Sequence, residues 1–252
     1  MENYVQPDSW VQPHSNHDHR ASYGPNQALA SEVADLPPGR AFDIGSGSGG
    51  DAIWLASKGW QVTAIDISQA AIDSAVAAAD EVGVAVTWIC ADVAITPIDS
   101  GEYDLVSLQY PALRRDTHRQ VIQSLLDAVA PGGTILVVTH GPESHPYART
   151  HGIEPADYIE TADFATRLDD HWEIVTQETR DRVAQDEGPP FTQDVVLRAL
   201  RTADAPRPPT PKASRTSHAL AAVTSPPQPF DVRAPGRIRT CAPGSGGRCS
   251  IP

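Results

Sequence analysis

Residues 42–56 read FDIGSGSGGDAIWLA. An apolar strand runs into a loop of glycines and serines and leaves it as a helix, the order that opens a parallel sheet with crossover helices. Outward from this loop, the chain from Gly39 to Arg201 alternates short apolar runs with longer helical ones. The short runs place strands at Arg40–Ile44, Gln61–Asp66, Ala85–Ala91, Tyr103–Gln109 and Thr134–His140, with helices between them. The helix after the loop is predicted over Gly50–Lys58 and stops at Gly59, a residue suited to a left-handed cap. Ser68 is the expected N-cap of an alanine-rich helix that ends at Gly83. A further helix is expected from about Asp116 to Val129, where Pro131, Gly132 and Gly133 form a turn into the fifth strand.

After His140 the pattern changes. A linker, HGPESHPYARTH, leads to a helix near Thr161–Asp169 and then to two alternating strands, WEIVTQETRDRV and TQDVVLRALR, joined by the polar hairpin loop AQDEGPP. The predicted fold is therefore α/β: a Rossmann-like seven-stranded mixed sheet, five parallel strands plus a C-terminal antiparallel hairpin, with helices on both faces. Three segments follow. Residues 1–30 are an irregular N-terminal arm and a candidate lid over the site; residues 31–202 hold the folded domain. Residues 203–252 carry ten prolines and four glycines with few regularly spaced apolar positions. Such a segment buries too little apolar surface to offset its conformational entropy and is expected to be disordered. Its last portion, APGRIRTCAPGSGGRCSIP, resembles the translation of a non-coding stretch, as a misplaced reading frame would produce.

Composition narrows the function. A chain of 252 residues, 40% hydrophobic, buries one core of ordinary size. No run approaches the roughly 20 apolar residues of a membrane span. The first residues lack both the basic start and the apolar stretch of a signal peptide, so a cytoplasmic protein is expected, with no membrane partner. Cys90 sits alone in an apolar strand, and Cys241 and Cys249 lack the paired spacing that zinc requires, so no metal is expected. His14, His17 and His19 fall in a polar arm without other ligands and are read as solvated. From Ala203 onward seven Lys or Arg stand against two Asp or Glu; the total of −13 then leaves −18 on the preceding 202 residues. So acidic a body argues against nucleic acid as partner and for a small, neutral or cationic substrate.

The glycine loop presents backbone N–H groups where no Cβ blocks approach. Glycines 45, 47 and 50 satisfy the spacing of a dinucleotide site; glycines 45, 47 and 49 satisfy that of an S-adenosylmethionine site. Flanking charge separates the two. Asp43 stands at the mouth of the first strand, where it would repel a pyrophosphate and favour an amino or sulfonium group. Asp66 ends the second strand, placed to accept from a ribose hydroxyl pair. Asp92 ends the third, placed to receive an adenine amino group while the Val93 amide meets a ring nitrogen; a turn cap is the competing role for Asp92. Three carboxylates at three successive strand ends suit a cationic nucleoside.

On these residues the chain resembles the class I S-adenosylmethionine-dependent methyltransferases. The resemblance runs through DIGSGSGGDAIWLASKGWQVTAIDIS, VTWICADV, YDLVSLQYPAL, LLDAVAPGGTILVVTH and DVVLRALR, and covers roughly Ser22 to Arg201. Within the class it is similar to the small-molecule branch that includes thiopurine and tellurite-resistance methyltransferases. The resemblance implies S-adenosyl-L-methionine as cofactor, with Asp43, Gly45, Gly47 and Gly49 at the methionine portion, Asp66 at the ribose with Ile67 beside it, Asp92 and Val93 at the adenine, and Gln109 at the fourth strand end. Many relatives carry GCGEG where this chain has GSGSG, and the segment before GPN is poorly matched.

Methyl transfer is an in-line displacement that needs alignment and exclusion of water more than a strong acid or base. For a hydroxyl or amine acceptor a general base helps, and Tyr110 and His140 are the candidates near the strand ends. With Tyr23 of the arm they form the expected substrate pocket around a small-molecule acceptor. The competing functions are a non-catalytic protein that holds S-adenosylmethionine or S-adenosylhomocysteine, and a nicotinamide oxidoreductase. The second lacks a Tyr-x-x-x-Lys pair, since Lys58 and Lys212 are the only lysines.

Overall fold

The computed structural model describes residues 24–182, 192–205 and 223–224. It opens with a short helix, Gln27–Glu32 (α1), then the strand Arg40–Ile44 (β1), the glycine loop and the helix Gly50–Ser57 (α2). Gln61–Asp66 (β2), Gln69–Val82 (α3) and Val86–Cys90 (β3) complete one half. Tyr103–Gln109 (β4), Arg115–His118 (α4), Val121–Ala128 (α5) and Val129–His140 (β5) build the other. His145–Thr150 (α6) and Thr161–Ala165 (α7) precede Trp172–Asp181 (β6) and Gln193–Arg201 (β7), and Val223–Thr224 form a two-residue strand (β8).

The sheet order is β6-β7-β5-β4-β1-β2-β3-β8. β1 pairs parallel with both β2 and β4, so the chain leaves the centre in one direction and returns to build the other half outward. The carboxyl ends of β1 and β4 thus flank the point where strand order reverses, the place at which open α/β sheets take ligands. β7 enters antiparallel beside β5, and β6 pairs antiparallel on its far side. The seven expected strands are present in the expected sense. An eighth, two-residue strand is added, Val223 and Thr224 pairing antiparallel with Trp88 and Thr87; the rest of the tail expected to be disordered, residues 206–222 and 225–252, lies outside the described residues.

Alternation along the strands divides the core into two layers. Leu105 of β4 joins Ala41, Trp88, Leu136 and Val196 against α1, α2 and α3. Its neighbour Val106 joins Phe42, Ile44, Ile65, Val137 and Leu197 against α5 and α7. Burial of each such large side chain contributes about 1.5–3 kcal/mol. α1 is fixed by charge as well. Buried Glu32 pairs with Arg180, accepts from Thr176 Oγ1 at 2.9 Å, and lies 3.9 Å from Arg198. This helix crosses the boundary drawn at residue 30. At the other end Thr202 N donates to His171 O and Ala205 is buried, so the folded unit extends slightly past residue 202.

Three elements differ from their predicted extents by more than two residues. The helix expected over Asp116–Val129 is two, α4 and α5, with Arg119 and Gln120 between them. The helix expected over Thr161–Asp169 ends at Ala165. β5 begins at Val129, five residues early, with Pro131, Gly132 and Gly133 inside it.

Candidate functional site

Three segments converge at the carboxyl ends of β1 and β2. After Ile44 the backbone stays tied to β2, because Gly45 N and Ser46 N both donate to Ile65 O, at 2.8 and 3.1 Å. Gly45, Gly47 and Gly49 all hold positive φ, of 71°, 53° and 87°, conformations that L side chains rarely adopt. Their surroundings differ. A Cβ on Gly45 or Gly47 would meet nothing within 4 Å, whereas one on Gly49 would lie 2.7 Å from the Trp88 ring and 2.9 Å from Ala75 Cβ. Gly49 is thus demanded by packing of α2 over β3 and α3, while Gly45 and Gly47 keep the loop's outer surface open.

Asp66 closes the loop from the second strand. Its Oδ2 accepts from Gly47 N and its Oδ1 from Ser68 N, each at 2.8 Å. A carboxylate offers about four lone-pair sites, so two are left for a ligand. Ser68 in turn caps α3, its hydroxyl accepting from Ala71 N. Ile67, between them, is exposed at the sheet edge and is an apolar surface beside Asp66.

Asp43 is 2% exposed on β1, and its Oδ2 is buried without a hydrogen-bond partner. Burial first, then the charges of Asp51 and Asp66, holds its carboxyl well above the usual carboxylate range. Asp51, in the first turn of α2, is raised as well, chiefly by burial. It accepts from Asn26 N at 2.6 Å, which ties the segment before α1 to the glycine loop. Three carboxylates therefore surround the loop's mouth. Two of them were expected there; Asp51 was not, although it follows the loop directly in GSGSGGD.

At the end of β3, Asp92 Oδ1 accepts from Ala94 N at 2.8 Å, and its carbonyl accepts from Ile95 N, Thr96 N and Thr96 Oγ1. The turn role weighed for Asp92 is thus present. Val93 next to it is buried in the core layer that holds Phe42, Ile44 and Val106. Gln109 ends β4 with its amide nitrogen donating to Ser107 Oγ at 3.0 Å, and its carbonyl oxygen is buried without a partner.

The other half of the edge is built by β4, β5 and β7. Tyr110 has a φ of 51° and is, among the described residues, the one non-glycine with positive φ. Its ring stacks on His140 with centroids 4.3 Å apart, and its hydroxyl donates to Asp194 Oδ1 at 2.8 Å. The Arg182 guanidinium lies 5.0 Å from the Tyr110 ring centroid and 3.4 Å from Asp194 Oδ1. Burial and the nearby Arg182 charge push His140 down to about 4. Burial, with the Asp194 bond and charge, pushes the Tyr110 hydroxyl up. Tyr110 and His140 are brought together as expected, whereas Tyr23 lies outside the described residues. Asp194 and Arg182 were not foreseen as site residues.

Comparison with known proteins now fits this geometry. A family model described as a methyltransferase domain matches residues 41–133, the span that carries β1 to β4 and the entire glycine loop. Residues 41–133 carry a methyltransferase domain. Its relatives include a biotin biosynthesis bifunctional protein of Cellvibrio japonicus, 29% identical over 124 residues, or 47% of this chain and 24% of that one. A ubiquinone biosynthesis O-methyltransferase of Rickettsia conorii is 32% identical over 134 residues, 53% of this chain and 44% of the relative. Across the curated relatives the aligned part is 24% to 55% of their own length. Among solved structures, magnesium protoporphyrin IX methyltransferase from Synechocystis PCC 6803 superposes with a TM-score of 0.52 at 23% identity, covering 69% of this chain and 80% of that one. That likeness shows the fold. No helix among the described residues is long and apolar enough to cross a membrane.

Proposed function

We propose that the domain transfers a methyl group from S-adenosylmethionine to a small-molecule acceptor. The observation that carries the reading is Asp43: a buried carboxylate with an unpartnered oxygen, raised by burial and by two neighbouring carboxylates. An apolar pocket does not retain such a group without cost. A ligand bearing an ammonium and a sulfonium offsets that cost, whereas a pyrophosphate increases it. The residues present therefore fit this cofactor. Asp43 and the open faces of Gly45 and Gly47 would hold the methionine portion, and Asp66 the ribose. Ile67, Asp92 and Val93 would line the adenine, with Gln109 closing the fourth strand end.

Bound there, S-adenosylmethionine supplies the electrophilic methyl carbon. The chain supplies alignment and exclusion of water, with Tyr110 and His140 beside the acceptor. The name of the Rickettsia conorii relative supports an oxygen acceptor. We place the reaction in the cytoplasm.

Calorimetric titration with S-adenosylmethionine, S-adenosylhomocysteine and NADH tests the cofactor. Micromolar binding of both adenosyl compounds, lost in Asp66→Ala, is expected. Binding of NADH, or of none of the three, overturns the reading.

A further inference from the structure

We propose that the cleft between α4, α5 and the turn after α7 binds the phosphate group of a small phosphomonoester, with Arg119 and Arg167 as its ligands. The site is separate from the donor site and stands without the methyltransferase reading. α5 and α7 cover the sheet face that carries Phe42, Val106 and Leu197, whereas α2, which starts at the glycine loop, covers the other face. The cleft has a volume of about 720 Å³ and is lined by Arg115, Asp116, Arg119, Gln120, Gln123 and Arg167. Small-molecule sites occupy about 300–1,000 Å³.

The three arginines are not equivalent. Arg115 is a wall: it pairs with Asp163, its Nε donates to Ala156 O at 3.1 Å, and its Nη2 donates to Tyr158 O at 2.8 Å. Its charge is met by that carboxylate. Arg167 is fixed differently, its Nη1 donating to Asp163 O at 2.9 Å and its Nη2 to Arg119 O at 3.4 Å. Both partners are backbone carbonyls, which hold the fork in place without neutralising it. A guanidinium has five N–H donors, so three remain for a ligand. Arg119 is exposed. The ion pairs of this region join Arg114 to Asp116 and Asp157, and Arg115 to Asp163; among the described residues none engages Arg119 or Arg167. Asp116, the carboxylate on the cleft wall, already accepts from Arg114 Nε and Nη2 at 3.2 and 3.3 Å. Two guanidinium charges thus line one cleft without a carboxylate of their own.

Geometry and charge together set the class of ligand. A planar guanidinium binds oxyanions through paired N–H groups, and a phosphate monoester offers three oxygens and close to two charges, enough for two arginines. Size is set by the rest of the molecule. The first 202 residues carry −18, the total of −13 less the tail's +5. Such a body repels an extended polyanion or an acidic protein surface, while a compact anion inside the cleft lies within a Debye length, about 8 Å, of the arginines. The cleft is also far larger than a bare phosphate ion. Gln120 and Gln123 line it too, and their amides can both donate to and accept from the organic part of an ester.

The test is calorimetric titration of the full chain, at constant ionic strength, with inorganic phosphate, glycerol 3-phosphate and a single-stranded oligonucleotide. Saturable binding of both phosphates is expected, the ester being the tighter. Equal affinities would keep the two arginines as ligands and identify free phosphate as the source of the anion. Arg119→Gln and Arg167→Gln should each weaken glycerol 3-phosphate about tenfold, the loss of one charge-assisted contact. The Arg119 variant guards against a folding defect, because Arg119 contributes only its backbone carbonyl to the contact with Arg167. Asp116→Asn, which removes a repelling carboxylate from the wall, should tighten binding. A phosphate held elsewhere, the glycine loop included, would leave all three variants at wild-type affinity. That result, a loss in Asp116→Asn, no saturable binding of either phosphate, or tighter binding of the oligonucleotide overturns the proposal.

Discussion

The Trp88 indole lies beneath Gly49, its ring 2.7 Å from where a Cβ on that glycine would sit. Gly49 therefore faces a double penalty on substitution, a φ of 87° and a collision with a fully buried ring. Gly47, at φ 53° with nothing within 4 Å, faces only the first. Gly49→Ala should cost about 3 kcal/mol of stability, adding the left-handed penalty to overpacking. Gly47→Ala should cost about 1 kcal/mol but lose S-adenosylhomocysteine affinity, since its methyl would enter the loop's open face. Urea unfolding and calorimetry on both variants separate these effects. Equal stability losses would remove Trp88 from the explanation.

Asp43 trades stability for ligand affinity. Its folded-state pKa lies above the unfolded value, so its favourable contribution is present below pH 3.8 and is lost as pH rises through the folded pKa. At neutral pH the ligand-free protein bears that loss. Asp43→Asn should therefore raise the ligand-free melting temperature by about 2–4 °C, equivalent to roughly 1 kcal/mol, while weakening S-adenosylhomocysteine at least about tenfold. A variant that binds normally, or melts lower without ligand, contradicts the role given to this carboxylate.

The parallel half of the sheet and its loop were legible because each signal is local. Strand, glycine turn, helix and cap follow one another in sequence, and β1, β2 and β4 have the expected limits. β5 was harder. Its Pro131, Gly132 and Gly133 read as a turn, yet pairing with β4 resumes around them. Tyr103 pairs with Val129, and the register then shifts so that Leu105 pairs with Thr134. Gly133 is the residue that permits this, because a Cβ there would lie 2.9 Å from both Ala130 O and Tyr103 O. Asp194 and Arg182 carried no local signal at all. They reach Tyr110 only because β7 is antiparallel, a pairing made across 84 positions of sequence.

α1 links the hairpin to the cofactor loop. Glu32 is held by Arg180 and Thr176, and Asn26, just before the helix, donates to Asp51. Glu32→Ala leaves Arg180 and Arg198 without their shared carboxylate and should cost about 2–3 kcal/mol. Because α1 also holds Asn26, cofactor affinity should fall with it, whereas Arg149→Ala, which breaks an exposed pair with Glu154, should change both by little. Unfolding and S-adenosylhomocysteine titration on the two variants test the linkage; a Glu32 variant with unchanged affinity would confine this network to stability.

His140 gives the fold an acid sensitivity of defined sign. Burial and Arg182 lower its pKa from 6.5 to about 4. The unfolded chain thus takes up a proton between these values that the folded chain refuses, and stability falls as pH drops through that window. Two and a half units correspond to about 3 kcal/mol at most. The quantity to measure is the difference in unfolding free energy between the wild-type chain and His140→Gln, at steps from pH 7.5 to 4. At pH 7 and above, both carry a neutral side chain and the wild type keeps whatever its stack on Tyr110 contributes. Below pH 6.5 the wild type should lose ground steadily, and near pH 4 the variant should be the more stable of the two or close to it. Taking the difference removes the opposite slope of Asp43, which both proteins share. Parallel curves would mean that His140 accepts its proton in the folded state as readily as in the unfolded one, and that the ring stacked on Tyr110 is a cation under mildly acidic conditions.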